Sequence, residues 1–137
     1  MDKLEHIGIA VKNLESANRL FGKLIGKNYY KIEEVESEGV RTSFFEIGGI
    51  KIELLEATRP DSPIAKFIEK KGEGIHHLAF EVKNIRQSIE KYQNDGFQLI
   101  NTEAKKGADN KMIAFLHPKS TQGVLVELCS EINNPSS

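Results

Sequence analysis

The chain of 137 residues has a single cysteine, Cys129, so no intramolecular disulfide can form and the composition fits a reducing cytoplasm. Neither charge is in excess, with 19 Lys and Arg against 20 Asp and Glu. No long block of one sign stands out, which argues against nucleic acid or an anionic membrane as a partner. Apolar runs are strand-sized. None approaches the roughly 18 residues that a membrane helix needs, and Met1-Asp2-Lys3 opens no signal-like apolar region. Cys129 follows Leu128 with no base beside it, and reads as an inert buried thiol rather than a nucleophile.

What the chain does have is a repeat. Glu5-His6-Ile7-Gly8-Ile9-Ala10-Val11-Lys12-Asn13-Leu14 returns 71 residues later as His76-His77-Leu78-Ala79-Phe80-Glu81-Val82-Lys83-Asn84-Ile85, with Val-Lys-Asn identical and His6 on His77. A second echo, at an offset of 74, sets Ile50-Lys51-Ile52-Glu53-Leu54-Leu55 against Val124-Leu125-Val126-Glu127-Leu128-Cys129 and puts Glu53 on Glu127. A half of about 65 residues is marginal alone, so the two copies are expected to share one domain.

Within each copy the pattern predicts βαβββ. Residues 4–11 alternate Ile7, Ile9 and Val11 against His6, Gly8 and Ala10, and residues 77–82 repeat the split, so each histidine shares its face with small residues. Asn13 and Asn84 are placed to cap the following helices. Leu14, Ala17, Leu20, Phe21, Leu24 and Ile25 form the first helical stripe, Ile85, Ile89 and Tyr92 the second, and Gly26 and Gly96 end them. Strand-like runs follow near 29–36, 40–47 and 50–56, then near 97–103, 111–116 and 124–129. The expected organisation is a single domain of module 4–56, a linker and short helix over 57–72, module 74–130, and a frayed tail over 131–137.

Two modules related by a pseudo-twofold can bring four ligands to one point: His6, Glu53, His77 and Glu127. A strand glutamate flanked by apolar residues is costly to bury without a partner, and here it occurs twice. His76 must point away from the face of His77, and the repeat selects His77. Imidazole and carboxylate ligands without thiolate suit Co²⁺, Mn²⁺, Ni²⁺ or Fe²⁺ rather than structural zinc. The loop His117-Pro118-Lys119-Ser120-Thr121-Gln122-Gly123 reads either as an ordinary turn or as a phosphate contact through Lys119, the hydroxyls and loop N–H groups.

These residues resemble the vicinal oxygen chelate superfamily and, within it, the methylmalonyl-CoA epimerase family over about residues 4–130. Besides the ligand strands, Pro60-Asp61-Ser62-Pro63-Ile64-Ala65-Lys66-Phe67, Gly72-Glu73-Gly74-Ile75-His76-His77 and Phe115-Leu116-His117-Pro118-Lys119-Ser120 carry the likeness. The resemblance implies an α+β fold in which the two modules pair into an open, curved sheet around a metal site. It further implies interconversion of (R)- and (S)-methylmalonyl-CoA by α-proton abstraction through an enolate, with a divalent ion, Co²⁺ first, and a homodimer in the cytoplasm. Glu127 resembles one proposed base. Some relatives have glutamate where Thr42 stands, so the second carboxylate is sought at Glu38, with Glu36 and Glu81 as alternatives. His117, Lys119 and Ser120 are the expected substrate contacts, with Lys105, Lys106 and Lys111 in reserve for the phosphates. The competing readings are a glyoxalase I-type lyase and a non-catalytic ligand-binding member of the superfamily.

Overall fold

The computed structural model describes residues 1–132. In chain order the elements are β1 (Lys3–Ala10), α1 (Leu14–Ile25), β2 (Lys31–Val35), a 3-10 turn (Glu36–Glu38), β3 (Val40–Ile47), β4 (Ile50–Ala57), α2 (Pro63–Lys71), β5 (Gly74–Glu81), α3 (Ile85–Asn94), β6 (Lys105–Lys106), β7 (Lys111–Leu116), a second 3-10 turn (Pro118–Ser120) and β8 (Val126–Glu131). This is the α+β, tandem βαβββ pattern that the repeat predicts. The described residues divide into two compact units, one of His6–His76 and one of Met1–Glu5 with residues 77–132.

In the first unit the strand order is β2-β3-β4-β1. Strand β1 lies parallel to β4, pairing Gly8 with Glu53, while β3 runs antiparallel and pairs Phe44 with Glu53. Asn13 caps α1 by accepting from the Ser16 N–H at 2.9 Å, and Gly26, at φ 87°, closes it in the left-handed conformation that glycine adopts without strain. One face of the sheet carries Val11, Phe45 and Leu54 against Leu14, Ala17, Phe21 and Ile25 of α1. The other carries His6, Gly8, Glu53 and Phe44. At its far end Ala10, Val40 and Leu55 pack under Ile64, Phe67 and Ile68 of α2.

The second unit repeats this in the order β5-β8-β7-β6. Strand β5 is parallel to β8, with Ala79 opposite Glu127, and β7 is antiparallel, with Phe115 opposite Glu127. Asn84 caps α3 as Asn13 caps α1, accepting from the Gln87 N–H at 3.1 Å. Val82, Leu128, Ala114 and Leu116 pack against Ile85 and Ile89 of α3.

Two expectations need correction. Residues 97–103 are not a strand: Phe97 and Leu99 turn their side chains under α3, Leu99 makes an isolated bridge to Leu116, and the Asn101 side chain, not its backbone, accepts from the Phe115 N–H at 2.9 Å. The short strand is displaced to Lys105–Lys106. In α1, Leu20 and Leu24 are 58% and 73% exposed, because the sheet reaches only the side of the helix that carries Leu14, Ala17, Phe21 and Ile25. Of the expected frayed tail, Glu131 closes β8, and residues 133–137 lie outside the described residues.

Candidate functional site

Each unit buries one histidine against one glutamate. In the first, His6 Nδ1 lies 3.0 Å from Glu53 Oε2; in the second, His77 Nε2 lies 3.3 Å from Glu127 Oε1. All four residues are buried, at 4–6% exposure. The pairs form because the first and last strands of each module are parallel neighbours, which sets each glutamate beside a small residue of the histidine strand, Gly8 or Ala79. An aromatic residue flanks each glutamate across the antiparallel ladder, Phe44 in one unit and Phe115 in the other. The Phe115 ring meets His77 edge-on at 5.8 Å, which fixes the imidazole plane.

These donors fit a divalent cation. Two ligand atoms each about 2.1 Å from an ion and at right angles lie about 3.0 Å apart, close to the 3.0 and 3.3 Å separations of the two pairs. Burial removes water from the carboxylates, which raises the cost of leaving their charge uncompensated. Cys129, the sole thiol, is buried behind Ala79 and Ile113 and reaches the Phe80 carbonyl at 3.6 Å. The donor set is thus imidazole and carboxylate.

His76 is turned away from His77. Its ring stands edge-on to Phe67 of α2 at 5.0 Å. Burial, helped by the positive charge of Lys71, lowers its pKa to about 4, so it is neutral at pH 7.

The loop after β7 is a self-bonded turn. His117 Nδ1 accepts from the Lys119 N–H at 3.0 Å, Ser120 Oγ donates to the His117 carbonyl at 2.9 Å, and Thr121 Oγ1 donates to the Val124 carbonyl. The Lys119 side chain is exposed. With Nδ1 occupied as an acceptor, the neutral His117 ring carries its proton on Nε2.

The expected second carboxylates are dispersed. Glu36 and Glu38 lie in the 3-10 turn after β2, which Arg59 ties down by donating to the Glu36 carbonyl at 2.5 Å and the Ser37 carbonyl at 3.4 Å. Gly39 closes that turn at φ 64°, where an added Cβ would come within 2.8 Å of the Ser62 Cβ. Glu81 is on the face of Glu127, 3.9 Å from Lys111. Lys111 is itself buried and 3.6 Å from Glu131, so it neutralises two neighbouring carboxylates instead of standing ready for a phosphate. The sequence reading missed Glu33, paired across the ladder with Thr42 on the face of Glu53. The signal was present in the alternation of β2, which puts Lys31, Glu33 and Val35 on one side.

Residues 5–115 match the model of the Glyoxalase/Bleomycin resistance protein/Dioxygenase superfamily. The chain belongs to this superfamily. It is 40% identical to the uncharacterized Bacillus subtilis protein YqjC over 94% of its own length and 92% of that protein. It is 37% identical to human mitochondrial methylmalonyl-CoA epimerase over 93% of its own length and 73% of that protein. Among solved structures, a Streptomyces coelicolor methylmalonyl-CoA epimerase in complex with 2-nitronate-propionyl-CoA superposes with a TM-score of 0.92 at 31% identity, covering 100% of this chain and 99% of that one. The superfamily's α+β fold, with buried His and Glu donors, is therefore the fold of this protein.

Proposed function

We propose that the chain epimerises (R)- and (S)-methylmalonyl-CoA, and that His6, Glu53, His77 and Glu127 jointly hold one divalent ion, with Co²⁺ favoured over Mn²⁺, Ni²⁺ and Fe²⁺. The observation that carries this reading is the pair of buried His–Glu contacts, at 3.0 and 3.3 Å, in a chain 36–37% identical to mammalian epimerases. When bound, the ion would draw electron density from the thioester carbonyl and the carboxylate on either side of the reacting carbon, making the proton between them more acidic.

The protein's own groups do the rest. His6, Glu53 and His77 would hold the ion, with the His77 ring plane set by Phe115. Glu127 has a second carboxylate oxygen beyond the one near His77 and serves as the base that removes the α-proton. The resulting enolate is reprotonated on its opposite face, which inverts the centre. Water is kept out by the buried ring of Phe44 and the apolar cap of α2. Lys119, His117 and Ser120 remain the proposed contacts for the coenzyme A portion, with the exposed Lys119 ammonium and His117 Nε2–H as its donors. A homodimer in the cytoplasm completes the proposal.

The test is to incubate Co²⁺-loaded protein with (R)- or (S)-methylmalonyl-CoA in D₂O and follow the α-carbon by NMR. Inversion accompanied by α-deuteration is the expected result. Turnover of a glutathione hemithioacetal without action on either thioester would replace the epimerase with a glyoxalase-type lyase. Tight thioester binding without exchange would mark a non-catalytic binding protein.

A further inference from the structure

Two polar groups share the sheet face of the His6–Glu53 pair, Thr42 one strand from Glu53 and Glu33 two strands from it. Thr42 is fully buried, and its Oγ1 has no hydrogen-bond partner among the described residues. A buried hydroxyl without a partner costs stability, so an acceptor arriving with a ligand would account for its retention here. Thr42 lies two residues from Phe44, whose ladder partner is Glu53, and therefore faces the same side of the sheet as the His6–Glu53 pair. Its own partners across the ladders are Leu55 and Glu33.

Side chains directly opposite in an antiparallel pair have their Cβ atoms about 5 Å apart, so Glu33 reaches over the same patch as Thr42. Its side chain is 35% exposed, and the Lys31 ammonium lies 3.8 Å from its carboxylate and 4.6 Å from the centre of the Phe44 ring. The sheet face next to Glu53 thus presents an aromatic floor, a buried hydroxyl and a carboxylate held by a neighbouring cation. The 3-10 turn that carries Glu36 and Glu38 lies beyond this row, past Val35 and Val40, where α2 packs Ile64 and Phe67 onto the face.

We infer that Glu33 is the second proton-transfer residue and that Thr42 donates a hydrogen bond to the substrate beside it, a reading that rests on the epimerase assignment. In one direction the Glu33 carboxylate takes the α-proton. The C–H bond breaks, and its electron pair spreads into the thioester carbonyl as an enolate. A protonated Glu127 then delivers its proton to the opposite face of the same carbon and a new C–H bond forms. In the other direction the two carboxylates exchange roles. One proton is removed and one supplied, so no further reactant is required.

The test compares Glu33→Gln, Glu38→Gln, Glu127→Gln, Thr42→Val and, as a control on the opposite face of β2, Glu34→Gln, each with separate (R) and (S) substrate in D₂O. Glu33→Gln should bind metal normally and lose inversion in both directions by roughly 10²–10⁴-fold. It should still exchange the α-proton of one enantiomer without inverting it, and Glu127→Gln should show the same behaviour with the other enantiomer. Thr42→Val should raise KM several-fold with a smaller effect on kcat, and Glu34→Gln should match wild type. Wild-type inversion rates in Glu33→Gln, or the split exchange pattern appearing in Glu38→Gln instead, would overturn the assignment of Glu33 while leaving the epimerase reading intact. A wild-type protein that inverts neither enantiomer would overturn both.

Discussion

Loading the metal-free protein with Co²⁺ should raise its melting temperature by an amount that follows from the site. A ligand that binds only the folded state at 100 times its dissociation constant stabilises by about 2.7 kcal/mol. For a domain of this size each kcal/mol moves the midpoint by about 3 °C, so the expected rise is about 8 °C. Binding should be confined to the folded state, because His6 and Glu53 are 47 positions apart in sequence, and His77 and Glu127 are 50 apart. The 3.0 and 3.3 Å pairs exist only once their strands are aligned. The assay is thermal unfolding followed by circular dichroism, with and without excess chelator, over a Co²⁺ titration. His6→Ala and His77→Ala should each lose most of the shift, whereas His76→Ala, with its ring against Phe67, should keep it. A full 8 °C response in His77→Ala, or none in the wild type at saturating Co²⁺, would refute the ligand assignment.

Other expected outcomes use different groups. Glu53→Gln keeps a coordinating amide oxygen and should lower activity only about tenfold, whereas Glu127→Gln removes a proton acceptor and should cost roughly 10²–10⁴-fold; equal losses would reduce Glu127 to a ligand. Lys119→Ala should raise KM for the thioester with little change in kcat, and the defect should shrink as salt rises; an unchanged KM at low ionic strength would direct attention to Lys105 and Lys106. His76 has a folded-state pKa of about 4 against an ordinary 6.5, so the unfolded chain binds the extra proton and stability is lost as pH falls from 6.5 towards 4. Denaturant melts should show wild type losing up to about 3 kcal/mol more than His76→Gln across that window; parallel pH profiles for the two proteins would contradict the half-buried, neutral imidazole.

The strands that bear His6, Glu53, His77 and Glu127 were legible because each interrupts a period-2 apolar pattern with a polar residue at a repeated position. The helix caps were legible for a similar reason, since Asn13 and Asn84 precede matching apolar stripes. What local pattern could not supply was coverage and pairing. Leu20 and Leu24 extend the α1 stripe, yet they flank the strip of Leu14, Ala17, Phe21 and Ile25 that meets the sheet and stay exposed. Phe97 and Leu99 alternate as a strand would, but their side chains fill the space under α3 while Asn101 takes over a ladder hydrogen bond. Lys111 read as an available cation because Glu81 and Glu131, its neighbours across the strands, are remote in sequence. Glu33-Glu34 reads as a solvated edge until β3 sets Thr42 beside the first of the two.

The parallel pairing of β1 with β4 and of β5 with β8 also orders events in time. Within each module the histidine strand is made first along the chain and the glutamate strand last, with a helix and two further strands between them. Such non-local, parallel contacts are slow to close and come late in folding. An ion that needs both members of a pair cannot act as a nucleus; it can only lock a module whose final strand has docked. Divalent metal added during refolding should therefore leave the folding rate unchanged and slow unfolding, extending the lifetime of the finished protein without hastening its arrival.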